Sequence, residues 1–468
     1  MSLQPSKSPP PPSYPLTPLD HLIYPLYLGG VSTFDLRGKD RHEALRRLEV
    51  AATRLASHLP FLDAYIVPAP ETDGKVNGFE VRSGFECACP FYQAQEHPAS
   101  TALLIDGRLN PAFLPTTDAL EFPDPCPVLR LKANMAGDAL HLVYYFHHTA
   151  MDGMGGTVVG KTLAQLCRNP DTPASELPTT AAEQRAMREK ILTMGASSTP
   201  RSLRWQPKPP HFPLFDMENP GNRTANRRFR IRAEKVHQIR QACQTLLQAH
   251  AYNGTQGVYL STSLIIGALF GICAHRARHA AGLGEWFGAT FEVAFNLRKQ
   301  LNLPSTYMGN AVVTVGCSLD AQLLPSGTTG VKHAVPGVTP DEIQRLCNVM
   351  LAILQDIQSY SPDNVAGMLG TLSALTDRSS VRASWNGLAF SDTHNMDFYH
   401  DYGPLGEVQD FALPGNELGG VCWLLASKPS SRGYYELQVA LEHAAMEKLE
   451  KESLFHWATC WGPRTSKL

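Results

Sequence analysis

No window of this chain approaches the ~18 uninterrupted apolar residues of a membrane-spanning helix, and its start is proline-rich rather than basic and then apolar. Helical span and secretory leader are therefore both excluded from the reading, which is that of a soluble, intracellular protein. Charge of one sign is also lacking: 41 Lys and Arg against 43 Asp and Glu leave a net −2 over 468 residues. Such a balance gives no general attraction to nucleic acid or to an anionic membrane. The ten cysteines are scattered. Only Cys87 and Cys89 lie close together, without a matching pair at metal-ligand spacing, so reduced thiols are expected rather than a disulfide framework or a zinc site. A GxSxG elbow, a cysteine-protease signature and an internal repeat are missing too, so nothing marks a covalent serine or cysteine nucleophile.

What is present is an ordinary globular composition, 43% hydrophobic and 18% charged. At ~100–200 residues per domain the length implies two domains. Residues 1–15, with Pro9 to Pro12 in a row, read as an extended disordered tail. Residues 16–168 form a first half: an amphipathic helix over 41–59, whose leucines and alanines fall at helical spacing, and strands over 64–68, 78–82, 127–134 and 139–147. Residues 169–225 turn to Pro, Thr, Ser and Glu, with one helical patch over 181–194, and read as a long crossover linker. A second half, 226–461, has strands over 227–231, 288–295, 311–315, 418–427 and 434–441. Its helices are expected over 233–250, 262–278, 340–360 and 444–456, with a loop over 318–338. Strand and helix in both halves make this an α/β protein and permit two similarly built domains facing each other.

The stretch that organises the chain is His147-His148-Thr149-Ala150-Met151-Asp152-Gly153. It follows the apolar strand 139–147, which the turn signal Ala136-Gly137-Asp138 pairs with the strand before it. A helix over 157–167 follows, so the histidines sit in a loop between a strand end and a helix start, where backbone N–H groups near Gly153 to Gly156 could meet negative charge. An imidazole is the side chain best suited to accept a proton near neutral pH.

This loop resembles the HHxxxDG signature of coenzyme A-dependent acyltransferases and peptide-synthetase condensation domains. Asn296-Leu297-Arg298 with Tyr307-Met308-Gly309-Asn310 is similar to the NxR and YxGN elements of the BAHD acyltransferases and their trichothecene 3-O-acetyltransferase-like fungal branch. Asp401-Tyr402-Gly403, followed by Pro404-Leu405-Gly406, resembles the DFGWG element; a register on Asp397-Phe398 fits less well. Leu16-Thr17-Pro18-Leu19-Asp20 also looks like the fungal branch, whereas Leu264 stands where that family places an aspartate.

The resemblance implies two chloramphenicol acetyltransferase-like α/β domains with the active-site channel between them. It implies His148 as general base, a structural Asp152 paired with Arg298, and supporting roles for Gly153, Asn296, Asp401 and Gly403. Acyl-CoA would be a co-substrate and a small-molecule alcohol or amine the acceptor, in a monomer with no permanently bound cofactor and no metal. A condensation-like or cyclising enzyme fed by a carrier-bound thioester, and a silent acyl-thioester binder, are the other readings. No carrier or adenylation segment is attached, and the intact His148, Asp152 and Arg298 weigh against a silent binder. A row of arginines, Arg223, Arg227, Arg228, Arg230 and Arg232, alternates along a strand and reads as a solvated face. Residues 462–468 form a short tail whose last three, Ser466, Lys467 and Leu468, match the address read by the peroxisomal import receptor, so a peroxisomal location is expected.

Overall fold

The computed structural model describes residues 14–459 apart from 24, 72–73, 86–88, 106, 116–124, 202–223, 250–258, 285–286, 321–334, 382–386, 414–418, 429–430 and 432. The tail 462–468 and most of the expected loop 318–338 lie outside these residues.

Two sheets carry the molecule. The first has five strands in the order Asp410–Ala412, Tyr27–Asp35, Ala139–His147, Leu129–Ala136, Tyr92–His97. Its central hairpin closes at Gly137, whose φ of +62° only glycine adopts freely. The second has six strands in the order Thr224–Arg232, Tyr434–Glu442, Val421–Leu424, Leu388–Asp392, Thr290–Asn296, Val312–Ser318. Leu388–Asp392 runs parallel to both neighbours and the other pairs are antiparallel.

Helices cover the sheets. Asp40 caps α1 (Arg41–His58), which buries Ala44, Leu48, Ala51, Ala52 and Leu55 in the first core. Helix α2 (Gly153–Arg168) follows the histidine loop, and α3 (Ala181–Ser197) lies in the crossover, opened by a capping box between Thr180 and Glu183. In the second body come α4 (Ala233–Ala249), α5 (Thr262–Ala280), α6 (Pro340–Gln358) and α7 (Pro362–Ala374). Helix α5 is buried nearly all round, and Ser261 caps it by accepting the Leu264 N–H. Among the described residues no helix is long and apolar enough to cross a membrane.

Several expectations need correction. Tyr14 and Pro15 are not tail: they pair with Val81 and Glu80, and Tyr14 is buried against Phe61. Residues 226–461 are not all second body, because Asp410–Ala412 crosses back to pair with Tyr27–Asp35, and Tyr402, Leu405, Val408 and Phe411 fill the first core. The last helix is two, His443–Leu449 and Ser453–Ala458, since Glu452 accepts the Phe455 N–H and starts a new cap. Tyr27–Asp35 and α7 escaped the sequence reading because of their glycines, and Gly30, Gly367 and Gly370 each have a neighbour that needs the space. A Cβ on Gly30 would lie 2.9 Å from the Phe411 ring, and one on Gly370 would lie 2.5 Å from the Ser198 carbonyl oxygen.

Candidate active site

The strand Ala139–His147 delivers the histidine loop to the junction of the two bodies. His147 points inward: it is buried edge-on to Tyr27, its Nδ1 accepts the Thr149 N–H at 3.3 Å, and burial, with the adjacent His148, lowers its pKa to about 3. It stays neutral and packs.

His148 differs. Its Nδ1 lies 3.2 Å from the Met151 carbonyl oxygen. A carbonyl only accepts, so Nδ1 carries the proton and Nε2 is left with a lone pair. Burial lowers the imidazole pKa, and the charge of Asp152 and the carbonyl partner oppose that only in part. At neutral pH the ring is therefore an uncharged base with Nε2 as its accepting atom.

Asp152 does three things at once. Its Oδ1 takes Arg298 Nη2 at 2.8 Å and the Gly155 N–H at 3.1 Å; its Oδ2 takes Arg298 Nη1 at 2.9 Å and the Ala311 N–H at 3.2 Å. The carboxylate is thus the cap of α2, the partner of a two-pronged guanidinium, and the anchor for the strand Val312–Ser318. Arg298 spends its remaining donors on the carbonyls of Tyr307 and Gly309, and Asn296 Oδ1 accepts the Arg298 N–H at 2.9 Å. Gly155 has to be glycine: a Cβ there would lie 2.4 Å from the Met308 carbonyl oxygen.

The helix begins at Gly153, a turn earlier than the spacing of apolar residues indicated, because Asp152 is its cap. This also narrows the oxyanion donors expected near Gly153 to Gly156. The Gly155 N–H is given to Asp152 Oδ1 and the Gly156 N–H to the Asp152 carbonyl, so neither is available to a substrate.

A second network was not foreseen. Asp20 is fully buried and accepts from Arg188 Nη1 at 2.7 Å, from the N–H and hydroxyl of Thr17 at 2.7 and 2.9 Å, and from the N–H and Nδ2 of Asn310 at 3.0 and 2.9 Å. The same Asn310 amide donates to the carbonyls of His148 (2.8 Å) and Thr149 (3.2 Å), and Arg188 Nη2 donates to that of Ala150 (2.8 Å). Three consecutive peptide carbonyls of the loop are therefore held by side chains from the crossover helix and the second body, braced on one aspartate. The residues expected to be a linker supply a core cation. The only sequence signals were Arg188 on the inner stripe of a short helix and Asp20 in the Leu-Thr-Pro-Leu-Asp element.

Asp401 and Gly403 are not beside His148. They form a turn at the far end of α2, where Arg168 donates to the Asp401 carbonyl, Asp401 Oδ1 accepts the Gly403 N–H, and Gly403 takes φ +64°. Tyr402 between them is buried, its hydroxyl 2.5 Å from that of Tyr144 and 3.1 Å from the Gly160 carbonyl oxygen. Within the arginine row, Arg228 reaches Asp410 and Glu436, and Arg230 reaches Glu436, while Arg223 lies outside the described residues.

The chain is 24% identical over 493 residues to fumigaclavine B O-acetyltransferase of Aspergillus fumigatus, an alignment covering 95% of this chain and 96% of the relative. It is 26% identical over 475 residues to communesin N16 acyltransferase of Penicillium expansum, covering 95% and 97%. Among solved structures, TRI101 of F. sporotrichioides in complex with coenzyme A and T-2 matches with a TM-score of 0.70 at 16% identity, over 96% of this chain and 99% of that one. Vinorine synthase matches with a TM-score of 0.57 at 16% identity, over 97% and 95%. No protein-family model matches the chain. The homologues are thus fungal acyltransferases, and the chain has the α/β fold of TRI101 and vinorine synthase.

Proposed function

We propose that this protein is an acyl-CoA-dependent acyltransferase that moves an acyl group, acetyl in the simplest case, to a hydroxyl or amine of a small secondary metabolite. The observation that carries the reading is the 3.2 Å contact of His148 Nδ1 with the Met151 carbonyl oxygen: a carbonyl only accepts, so the proton belongs on Nδ1 and Nε2 is left as a neutral acceptor. In the reaction Nε2 takes the proton of the acceptor's O–H or N–H as that atom bonds to the thioester carbonyl carbon. The tetrahedral intermediate then breaks its C–S bond. The coenzyme A thiolate leaves and takes the proton back from the imidazolium, so no acyl-enzyme is formed.

Asp152 supports this step through structure. Its carboxylate is saturated by Arg298, Gly155 and Ala311, and it fixes the loop and the start of α2 rather than touching the reacting atoms. Asn296 and Gly153 shape the turns that hold this pair, and Asp401 and Gly403 shape the opposite end of α2. The chain is proposed to act as a monomer. Acyl-CoA is consumed as co-substrate.

Incubation of the purified protein with labelled acetyl-CoA and extracted fungal metabolites tests the reading. Label appearing in a small-molecule ester or amide, with release of free coenzyme A, supports it. Product formed only from a carrier-bound thioester, or binding without turnover, contradicts it.

The location is a separate proposal. Where Leu468 is the terminal residue, Ser466-Lys467-Leu468 is a peroxisomal address, and peroxisomes hold acyl-CoA. A fluorescent protein fused ahead of Met1 should be punctate with a peroxisomal marker and should disperse when residues 466–468 are deleted. Diffuse fluorescence from the intact fusion would overturn the location and leave the enzymatic reading standing.

A further inference from the structure

The C-terminal turns of α5 carry two histidines one turn apart, His275 and His279, whose rings meet edge-on with centroids 4.5 Å apart. Residues spaced i and i+4 share a helix face, which is why this spacing recurs wherever a helix supplies two imidazoles to one ion. Asp320, just past the strand Val312–Ser318, brings a carboxylate to the same place: its Oδ1 lies 3.1 Å from His275 Nε2. One donor atom from each of the three residues falls within 4.8 Å of the others.

The geometry points to a site for a zinc-class divalent cation held by His275, His279 and Asp320, separate from the acyl-transfer centre, with water completing the coordination. Two imidazoles and one carboxylate are a zinc-type donor set of the open, three-ligand kind. With metal–ligand bonds of about 2.0–2.1 Å, a His275–Asp320 donor separation of 3.1 Å subtends roughly 95–100° at the ion, close to a tetrahedral angle. The remaining donor, within 4.8 Å, has to close to about 3.4 Å, and the exposed His279 ring is the one that has to move.

The surroundings fit. A Cβ at Gly284 would lie 2.3 Å from His279 Nδ1, so the glycine is what lets that ring seat against the end of the helix. The neighbouring cations do not compete with a metal, because Arg276 is paired with Glu342 and Glu452, and Arg278 with Glu442. His275 is buried. A His275–Asp320 hydrogen bond by itself would account for two of the three residues but gives no part to His279. A bound ion would tie the end of α5 to the end of the outermost strand of the second sheet, and its effect would be on stability.

Cobalt(II) tests the site, because a tetrahedral nitrogen and oxygen environment produces a visible d–d band. The full-length protein, stripped with chelator, should develop that band on titration, lose it to added zinc, and melt at a higher temperature with zinc present. His279→Ala and Asp320→Asn, both at exposed positions, should weaken cobalt binding at least about tenfold and abolish the zinc-dependent rise in melting temperature. Absence of the band, an undiminished band in either variant, or a thiolate charge-transfer band placing the ion on cysteine would overturn the proposal.

Discussion

Two buried ion pairs meet at the histidine loop, and they hold different parts of it. Asp152–Arg298 has side chains 7% and 6% exposed and grips the loop by a side chain of its own. Asp20–Arg188, at 0% and 1%, grips it by the backbone, with Arg188 and Asn310 donating to the carbonyls of residues 148 to 150. Tyr307 lies between them, its ring centroid 5.6 Å from the Arg298 guanidinium and 5.9 Å from that of Arg188. The base is therefore placed by two independent charge pairs, one fixing the exit of the loop into α2 and the other fixing the peptides on which His148 stands.

If both pairs matter alike, breaking either should cost alike. Arg298→Ala and Arg188→Ala each strand a buried carboxylate, so each should lose ~3–5 kcal/mol of unfolding free energy along with most activity. Denaturant titration measures this, and a wild-type midpoint for Arg188→Ala would break the equivalence. Asn310→Ala sharpens it by removing the amide that Asp20 and two loop carbonyls share. It should cost ~1–3 kcal/mol and lower kcat while leaving acyl-CoA binding close to normal. An unaltered kcat in a stably folded Asn310→Ala protein would reduce the network to packing.

Further from the loop, Tyr402→Phe removes the hydroxyl bonded to Tyr144 and Gly160 and should cost ~0.5–1.5 kcal/mol with turnover retained, which a thermal melt and a rate assay decide together. The smallest effect is a displacement of the pH profile. His148 works deprotonated and burial lowers its pKa, so kcat/KM should rise with pH through a limb lying below 6.5, the ordinary imidazole value. A limb above 6.5 would mean that the Asp152 charge outweighs burial.

The contrast between the pairs also marks how far the sequence could be read. Asp152 and Arg298 stand in short motifs, so their roles could be named from a few residues each. Arg188 stands in a segment whose prolines and threonines read as linker, and its partner Asp20 is 168 positions away, a pairing that only the folded chain brings about. Strands of alternating or continuous apolar character, such as Ala139–His147, and amphipathic helices such as α1 and α6 were legible because burial imposes a period. The glycine-bearing Tyr27–Asp35 and α7 were not, since their glycines answer to Phe411 and Ser198, tertiary neighbours that local propensity does not register. The Gly155 and Gly156 N–H groups were misjudged for a similar reason: the cap that makes the loop rigid consumes them.

The proposed role of Nε2 of His148 is removal of the acceptor's proton. The measurement that meets it most directly is the single-turnover rate of His148→Ala under saturating acyl-CoA, with acyl-CoA affinity determined on the same preparation. The rate should fall by roughly 10²–10⁴, the usual range for loss of a general base, with affinity unchanged. A variant that folds, binds acyl-CoA and turns over at the wild-type rate would contradict it.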